Sequence, residues 1–372
     1  MPSTAQTTAQ TTAATFARHL NPAPRGADER AALTAAPAFG TVFTDHMVRI
    51  DWTADGGWSG HRVMAYGPLL LDPAAAVLHY GQEIFEGIKA YRHDDGSVWT
   101  FRPAANAERF RASARRMDMP ELPVADFVAS LEALVAVDAD WVPTADEASL
   151  YLRPFLFASE AFLGVRSARE MTYLLIASPV GPYFATGVRP VAIWVAQDHH
   201  RAGPGGTGAA KCGGNYAASL LSQRHAYAQG CDQVCFLDAA TGANLEELGG
   251  MNVFAVLDDG SVVTPRLTGT FLEGITRSSV ITLLRDAGHA VAERDMSLAE
   301  IRAGLESGGV AEMFACGTGA AVTPIGRLAG DGFDLTVSHG GTGPVTSAVR
   351  TRLTDIQYGR APDLHGWMRR LV

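Results

Sequence analysis

The stretch Gly205-Gly206-Thr207-Gly208-Ala209-Ala210-Lys211-Cys212-Gly213-Gly214-Asn215-Tyr216 holds a single lysine between two glycine-rich turns. Lys211 is the only charged residue between Arg201 and Arg224. Glycines let the backbone turn sharply and let a bulky ligand come close to it. A lone amine in such surroundings can lose its charge by desolvation and become a nucleophile toward a carbonyl. The stretch therefore has the features that a Schiff-base lysine needs, but taken alone it favours the alternative, a flexible surface loop with a solvated lysine.

Two other interpretations of this loop can be tested on the sequence. A phosphate-binding P-loop needs Gly before the lysine and Ser or Thr after it, but Ala210 and Cys212 stand there. The letters of the dinucleotide fingerprint are present at Gly203, Gly205 and Gly208. That fingerprint must follow a strand directly, whereas the polar residues 197–201 separate it from the preceding apolar run. Neither motif is therefore predicted.

Composition limits the class of protein. The chain has 372 residues, 47% of them hydrophobic and 19% charged, with a net charge of -9. This length suggests two or three domains, and the negative charge argues against nucleic acid or an anionic membrane as a partner. No apolar run reaches the ~20 residues that a membrane helix needs. The four cysteines have neither zinc spacing nor a disulfide framework, which is typical of a cytoplasmic protein.

Hydrophobic patterning gives a coarse secondary structure. Strands are predicted at residues 48–53, 97–101, 150–157, 171–178, 188–196, 233–237, 245–248 and 252–257, the last turning at 258–260 into 261–264 as a hairpin. Helices are predicted at residues 104–117, 126–137, 215–228, 278–287 and 345–358. Residues 77–91 combine a short strand with a turn at Gly87.

Strands and helices mix without strict alternation, so the predicted fold class is α/β (α+β) with two lobes. Residues 1–35 are rich in Ala, Thr and Gln and predict a disordered tail. Residues 36–180 then form a small N-terminal α/β domain, and residues 181–190 form a linker, as the Pro and Gly content indicates. Residues 191–372 form a large C-terminal domain.

Several motifs occur in one order along the chain. They are Tyr80-Gly-Gln-Glu-Ile-Phe85-Glu-Gly-Ile-Lys89, Phe101-Arg-Pro with Arg109, Tyr151-Leu-Arg153-Pro, Gly181-Pro-Tyr183, Lys211 with its Gly-Gly-Asn-Tyr216 tail, Glu246-Glu247-Leu-Gly-Gly-Met-Asn252, Gly274-Ile275-Thr276-Arg and Gly317-Thr318-Gly319. Together they resemble the branched-chain amino acid aminotransferases, which are fold-type IV enzymes that use pyridoxal 5′-phosphate. The resemblance runs from about residue 40 to the end of the chain and is specific because the order and spacing both match.

The resemblance implies that Lys211 binds the cofactor covalently and carries protons during the reaction. It also implies that the cofactor lies between the two lobes, mostly on the C-terminal one. The cofactor's ring nitrogen works best when protonated, which calls for a carboxylate nearby, and the motif assigns Glu247. Glu246 is its neighbour, and because successive strand residues face opposite ways, only one of the two can face the ring. Tyr216 would bond the cofactor's phenolic oxygen.

The cofactor's phosphate needs positive charge and hydrogen-bond donors. The resemblance assigns Arg109 to it, although Arg109 could also be a solvated arginine on a helix face. Gly274, Ile275 and Thr276 precede a predicted helix, and backbone N–H groups at a helix start form an anion site. Thr318 would add a hydroxyl.

The substrate must be an aliphatic amino acid in one half-reaction and glutamate in the other. The resemblance assigns Tyr80, Phe85, Tyr151 and Tyr183 to an aromatic pocket, with Gly319 beside it; the alternative for each aromatic is simple core packing. Arg153 is assigned to the side-chain carboxylate of glutamate because a guanidinium suits a carboxylate.

The expected reaction is ping-pong transamination of L-leucine, L-isoleucine and L-valine with 2-oxoglutarate, by a homodimer. The alternative is another fold-type IV enzyme, a D-amino acid aminotransferase or an aminodeoxychorismate lyase, and a further alternative is a ligand-binding protein that has kept the fold.

Overall fold

A computed structural model describes residues 13–181 and 188–372, which form two mixed sheets with helices packed against them. The strands of the first sheet are Ala17–His19 (β1), His46–Thr53 (β2), Gly57–Ala65 (β3), Glu83–Phe85 (β4), Ile88–Arg92 (β5), Val98–Phe101 (β6), Ser149–Ala158 (β7), Glu170–Val180 (β8) and Met368–Arg370 (β18). Their order is β1-β3-β2-β8-β7-β5-β6-β18, and β4 pairs with β7.

Four helices accompany this sheet: Ala27–Ala35 (α1), Ala76–Tyr80 (α2), Pro103–Arg116 (α3) and Val124–Val137 (α4), with a 3-10 turn at Ala139–Trp141. Helix α3 begins with a proline, whose fixed φ suits the first helical turn. Its buried residues include Ala107, Phe110 and Ala114, three or four positions apart, so one stripe of the helix faces the sheet. The Phe110 ring packs against Phe127 of α4 and Tyr173 of β8.

The strands of the second sheet are Val191–Ala196 (β9), Gln233–Leu237 (β10), Leu245–Leu248 (β11), Met251–Leu257 (β12), Val262–Pro265 (β13), Val291–Arg294 (β14), Val310–Gly317 (β15), Ala321–Gly330 (β16) and Phe333–Thr336 (β17). Their order is β11-β10-β9-β16-β15-β12-β13-β14, and β17 pairs with β16. The helices are Gly213–Ala228 (α5), Ile275–Asp286 (α6), Leu298–Ser307 (α7) and Pro344–Gln357 (α8), with a 3-10 turn at Ser338–Gly340.

The two sheets share a hydrophobic core. Tyr91 and Phe101 of the first sheet belong to the same buried cluster as Phe254 of β12 and Leu353 of α8. Strand β18 follows the whole second sheet in the chain but pairs with β6 of the first. The junction of the sheets is also crossed by a polar contact, because Nζ of Lys89 on β5 donates to the Gly319 carbonyl, 2.7 Å away. This junction positions the site described below.

The mixed α/β fold class is confirmed, and the predicted strands and helices occur within a few residues of their expected bounds. Residues 77–91 differ, because they form α2, β4 and β5 rather than one short strand and a turn. Helix α7 and the strands β3 and β14 to β17 were not predicted. The proposed domain bounds stay predictions, and residues 182–187 of the linker lie outside the described part of the chain.

The N-terminal segment also differs from the disordered tail that we expected for residues 1–35. From residue 13 onward it contains β1 and α1. The backbone N–H groups of Asn21 and Arg25 donate to the side chains of His46 and Asp45. Phe16 packs against the buried core. These contacts order a segment whose composition alone would not bury a core of its own.

Candidate active site

The backbone of Lys211 is fixed by the N-terminal half of the chain. Its N–H donates to Oγ of Ser113 on α3, and its carbonyl accepts from the N–H of Phe85 on β4, both at 2.9 Å. The N–H of Gly213, the first residue of α5, donates to the carboxylate of Glu83. The lysine is therefore clamped between the first sheet and the start of α5 rather than carried on a solvated loop.

The side chain of Lys211 ends among aromatic rings. Its Nζ lies 2.8 Å from the hydroxyl of Tyr216, in the first turn of α5. The same nitrogen lies 5.0 Å from the ring centroid of Phe85. An amine held against a phenol in such a cavity can act as a nucleophile or carry a proton.

Glu247 of β11 also lines this cavity, with 2% of its surface exposed. Its Oε2 is 3.0 Å from Nη1 of Arg201. Burial raises the pKa of the Glu247 carboxyl, while the charge of Arg201 acts in the opposite direction. Glu246 faces the other side of the strand, where its carboxylate accepts from the hydroxyl of Thr270. The strand thus presents one of its two adjacent glutamates to the cavity.

The lining of the cavity also includes cationic and N–H groups. Arg109 of α3 lines it together with Ile275 and Thr276, the first residues of α6, and with Thr318. The partial positive charge of a helix start favours anions. Gly274, which precedes α6, must be glycine because a Cβ there would lie 1.9 Å from Oδ1 of Asn252. This part of the lining suits a phosphate.

Another part of the lining combines aromatic surface with a guanidinium. Nη2 of Arg153 donates to the Tyr151 hydroxyl at 3.1 Å, and the Arg153 guanidinium lies 4.8 Å from the ring centroid of Phe85. Nε of Arg153 is buried without a hydrogen-bond partner among the described residues. A Cβ on Gly87 would lie 2.0 Å from the Tyr151 hydroxyl, so glycine leaves room for this arrangement.

The structure brings most of the predicted site residues to this one cavity, namely Phe85, Arg109, Tyr151, Arg153, Lys211, Tyr216, Glu247, Gly274, Ile275, Thr276, Thr318 and Gly319. Tyr80 is not among them: it is 42% exposed at the end of α2, and its hydroxyl donates to the carbonyl of Leu163. Tyr183 lies outside the described residues.

Sequence reasoning missed other lining residues, including Gly87, Asn252, Leu272 and Cys316. Gly87 and Asn252 lie within the motifs that carried the resemblance, which was a usable signal. Arg201 was missed as the partner of Glu247 because nothing in the local sequence connects residues 46 positions apart.

The groups around the cavity match the polar groups of pyridoxal phosphate. An amine beside a phenol suits the cofactor's carbonyl and phenolic oxygen, a buried carboxylate suits its ring nitrogen, and Arg109 with the α6 N-terminus suits its phosphate. Within residues 13–181 and 188–372, no group of three or more His, Cys, Asp or Glu could hold a metal ion.

Comparison with known proteins defines the class. The family model described as "Amino-transferase class IV" matches residues 83–328. A crystal structure of Escherichia coli branched-chain amino acid aminotransferase superimposes with a TM-score of 0.72 at 28% identity, covering 87% of this chain and 99% of that one. A T.th. branched-chain amino acid aminotransferase with pyridoxamine 5′-phosphate gives a TM-score of 0.71 at 27% identity, covering 87% and 98%. The fold is that of a fold-type IV, pyridoxal-phosphate-dependent transaminase.

Relatives with higher sequence identity identify the family within this class. The probable branched-chain-amino-acid aminotransferase of Streptomyces coelicolor is 54% identical over 350 residues, covering 94% of this chain and 96% of the relative. The branched-chain-amino-acid aminotransferase of Mycobacterium tuberculosis is 52% identical over 361 residues, covering 96% and 98%. The chain therefore belongs to the branched-chain-amino-acid aminotransferases, as the motif order predicted.

Proposed function

We propose that this transaminase moves the amino group of L-leucine, L-isoleucine or L-valine to 2-oxoglutarate, reversibly and in two half-reactions. The products are the branched 2-oxo acids and L-glutamate. The observation that carries this proposal is the position of the Lys211 amine, in one cavity with Glu247, Arg109 and the Tyr151–Arg153 pair. The names of the relatives at 52–54% identity support the same substrates.

Pyridoxal phosphate, when bound, supplies an electron sink for the negative charge that develops on the amino acid's Cα. The Lys211 amine would hold the cofactor covalently, and in its free form it would carry the proton removed from Cα. Tyr216, whose hydroxyl accepts from the Lys211 amine at 2.8 Å, orients that amine and would donate to the phenolic oxygen. Glu247 would hold a proton on the ring nitrogen, and the charge of Arg201 opposes the rise in the Glu247 pKa that burial causes.

Arg109 and the N-terminus of α6, with Gly274, Ile275, Thr276 and Thr318, line the cavity and would hold the phosphate. On the substrate side, the Phe85 and Tyr151 rings, with Gly319 beside them, give an aliphatic side chain an apolar surface. The side-chain carboxylate of glutamate would instead bind the Arg153 guanidinium, because a guanidinium binds a carboxylate with two hydrogen bonds. One pocket can accept both substrates because the guanidinium lies against the aromatic rings.

A homodimer is part of the proposal. Several large apolar side chains are exposed, including Leu70, Leu78, Leu163 and Val165, and the Leu163 carbonyl accepts from the Tyr80 hydroxyl. Exposed apolar patches of this kind mark interaction surfaces. Tyr80 would act in the dimer, and Tyr183 would belong to the same pocket.

A cytoplasmic location is also part of the proposal, because the four cysteines are all buried and unpaired. No helix in the described part of the chain could cross a membrane.

The test is an absorbance spectrum of the purified protein. We expect a visible cofactor band that L-leucine converts to a band at shorter wavelength and that 2-oxoglutarate restores. A band that responds only to D-alanine would indicate the D-amino acid enzyme, and no band after incubation with pyridoxal phosphate would refute the proposal.

The lysine assignment can be tested separately. The sequence has only two lysines, Lys89 and Lys211. Borohydride reduction fixes the bond between an amine and the bound cofactor, and peptide mapping then identifies the labelled residue. We expect the label on Lys211 alone, because the Lys89 amine is engaged with the Gly319 carbonyl. Label on Lys89 would overturn the assignment.

A further inference from the structure

A completely buried carboxylate binds Arg109 of the candidate site. Oε1 of Glu86 accepts from Nε of Arg109 at 2.7 Å, and Oε2 accepts from Nη2 of Arg109 at 2.9 Å. Oε2 also accepts from Nδ2 of Asn106 at 2.8 Å and from the N–H of Gly87 at 3.1 Å. The side chain of Glu86 has no exposed surface. Four donors thus fix the carboxylate in one orientation.

This carboxylate fixes Arg109 in turn. A guanidinium has five N–H groups. Two of those of Arg109 bind Glu86, and a third donates to the carbonyl of Glu273 at 3.1 Å. The other two have no protein partner in the described part of the chain, while the side chain lines the cavity. Because Glu86 binds one edge of the guanidinium through two hydrogen bonds, it fixes the direction of the two remaining N–H groups, which can bind a ligand.

The pair also decides the charge that the site has before a ligand binds. Burial by itself would raise the pKa of the Glu86 carboxyl, but Arg109, with smaller contributions from Lys211 and Asn106, outweighs burial and holds that pKa below its usual value. At neutral pH the pair consequently carries one charge of each sign. Arg109 needs no external anion to be buried, although a lone buried cation would be strongly destabilising.

We propose that Glu86 is a positioning residue, the resident counter-ion of the phosphate-binding arginine. It keeps Arg109 neutralised and oriented in the apoprotein, and it thereby lowers the affinity of the site for phosphate. The inference rests on the phosphate assignment of Arg109 in the proposed function.

Two effects of removing the Glu86 charge oppose each other. Loss of orientation weakens anion binding, because the side chain must be ordered on binding. Loss of the carboxylate removes its repulsion toward a phosphate dianion on the same guanidinium and leaves Arg109 in need of an anion. At the short distances across one guanidinium, the charge effect is the larger of the two.

The experiment compares Glu86→Gln with the wild-type apoprotein, using calorimetry with inorganic phosphate, pyridoxal phosphate and pyridoxal. We expect Glu86→Gln to bind phosphate and pyridoxal phosphate at least about 10-fold more tightly, with pyridoxal affinity unchanged. The Glu86→Gln apoprotein should melt at a lower temperature than the wild-type apoprotein, and added phosphate should raise its melting temperature by more. Unchanged or weaker phosphate binding, or an equal change for pyridoxal, would overturn the inference.

Two further variants separate the possible failures. Glu246→Gln removes a buried glutamate that faces away from the cavity and should leave phosphate binding unchanged. Arg109→Met should greatly reduce phosphate binding; if it does not, the phosphate assignment fails rather than the role of Glu86. In the Arg109→Met background, Glu86→Gln should change phosphate affinity by less than about twofold, since the two act as one unit.

If Glu86→Gln is insoluble as the apoprotein, refolding with phosphate or pyridoxal phosphate decides the question. Recovery of folded protein with either anion supports the counter-ion role, because the anion replaces the missing charge. Failure to recover with both would overturn it.

Discussion

Nη1 of Arg201 lies 3.0 Å from Oε2 of Glu247, and both side chains are almost completely buried. Arg201 is not among the residues that line the cavity, so under the proposed function it would act on the cofactor through Glu247. Two of its nitrogens, Nε and Nη2, lack hydrogen-bond partners among the described residues. The contact with Glu247 is therefore the main compensation of its buried charge, together with the carbonyl of Gly208.

Replacing Arg201 by methionine should damage both stability and catalysis. The buried Glu247 carboxyl would lose the charge that opposes its desolvation, so its pKa would rise further and its anionic form would be depleted. We expect a loss of stability of about 3–5 kcal/mol and a fall in kcat/KM of about 10- to 100-fold. Urea unfolding measures the loss of stability, and initial rates measure the fall in kcat/KM. Arg201→Lys, which keeps the charge, should retain more activity; equal activity in both variants would contradict this role.

The adjacent glutamates of β11 provide a matched pair of substitutions. Glu247→Gln removes the carboxylate at the cavity, and we expect kcat to fall on the order of 100-fold because a preorganised charge at the reacting group is lost. Glu246→Gln removes the same charge on the opposite face, outside the site, and should keep kcat within about threefold of wild type, a change of less than about 1 kcal/mol in the barrier. Steady-state rates with L-leucine and 2-oxoglutarate decide between them, and a reversed order would exclude Glu247 as the ring partner.

Gly87→Ala should alter substrate preference. Its Cβ would lie 2.0 Å from the Tyr151 hydroxyl, which accepts a hydrogen bond from Arg153. Because backbone cannot move as easily as the ring, Tyr151 and with it Arg153 would be displaced. We expect KM for 2-oxoglutarate to rise about 10-fold, the effect of losing one charge-assisted contact, with a smaller change for an aliphatic 2-oxo acid.

The control for this prediction is Gly26→Ala, because a Cβ at Gly26 would meet no atom within 4 Å. Its kinetics should match those of the wild type. An equal rise in KM for both 2-oxo acids in Gly87→Ala would indicate general disruption of the pocket rather than displacement of Arg153.

Lys89 should make stability depend on pH in the alkaline range. Burial lowers the pKa of its ammonium group from 10.5 to about 8, with Glu147 opposing the shift and Arg350 adding to it. Between these two pKa values the unfolded chain binds more protons than the folded one, so the Lys89 contribution to stability increases as pH rises from about 8 to 10.5. Below pH 8 both states are protonated and the cost of burying the charge is fully present.

The measurement is the free energy of unfolding of the wild type minus that of Lys89→Met, at about pH 7.5 and at about pH 10, on either side of the lowered pKa. We expect this difference to shift in favour of the wild type at the higher pH. A pH-independent difference would show that the Lys89 ammonium has an ordinary pKa in the folded state.

The sequence predicted those strands whose apolar runs end at turn residues, such as β12 with its hairpin into β13. It missed β16, a central strand, because Pro324 and Gly326 are typical of strand interruption. The structure accommodates them: Pro324 pairs with Phe314 of β15, and the register toward β9 shifts between Ile325 and Arg327. Tertiary pairing thus overrides the local preference of these residues.

Those parts of the site could be predicted in which a short stretch of sequence holds an unusual arrangement of charged residues. Lys211 stood out because no other charge lies near it in sequence, and the two neighbouring glutamates implied that one of them faces away. Arg201 and the counter-ion role of Glu86 could not be predicted in this way. Each role depends on the partner that the fold brings into contact with the residue, which is a distant carboxylate for Arg201 and a distant guanidinium for Glu86. Neither contact has a local sequence pattern.

Strand β18 has a consequence for synthesis of the chain on the ribosome. Residues 368–370 pair with β6, so the first sheet is missing an edge strand until residue 370 has left the exit tunnel. The clamp on Lys211 by Ser113 and Phe85 likewise joins residues far apart in translation order. A nascent chain that exposes only residues 1–210 contains Lys89 but not Lys211, so we expect it to capture no pyridoxal phosphate.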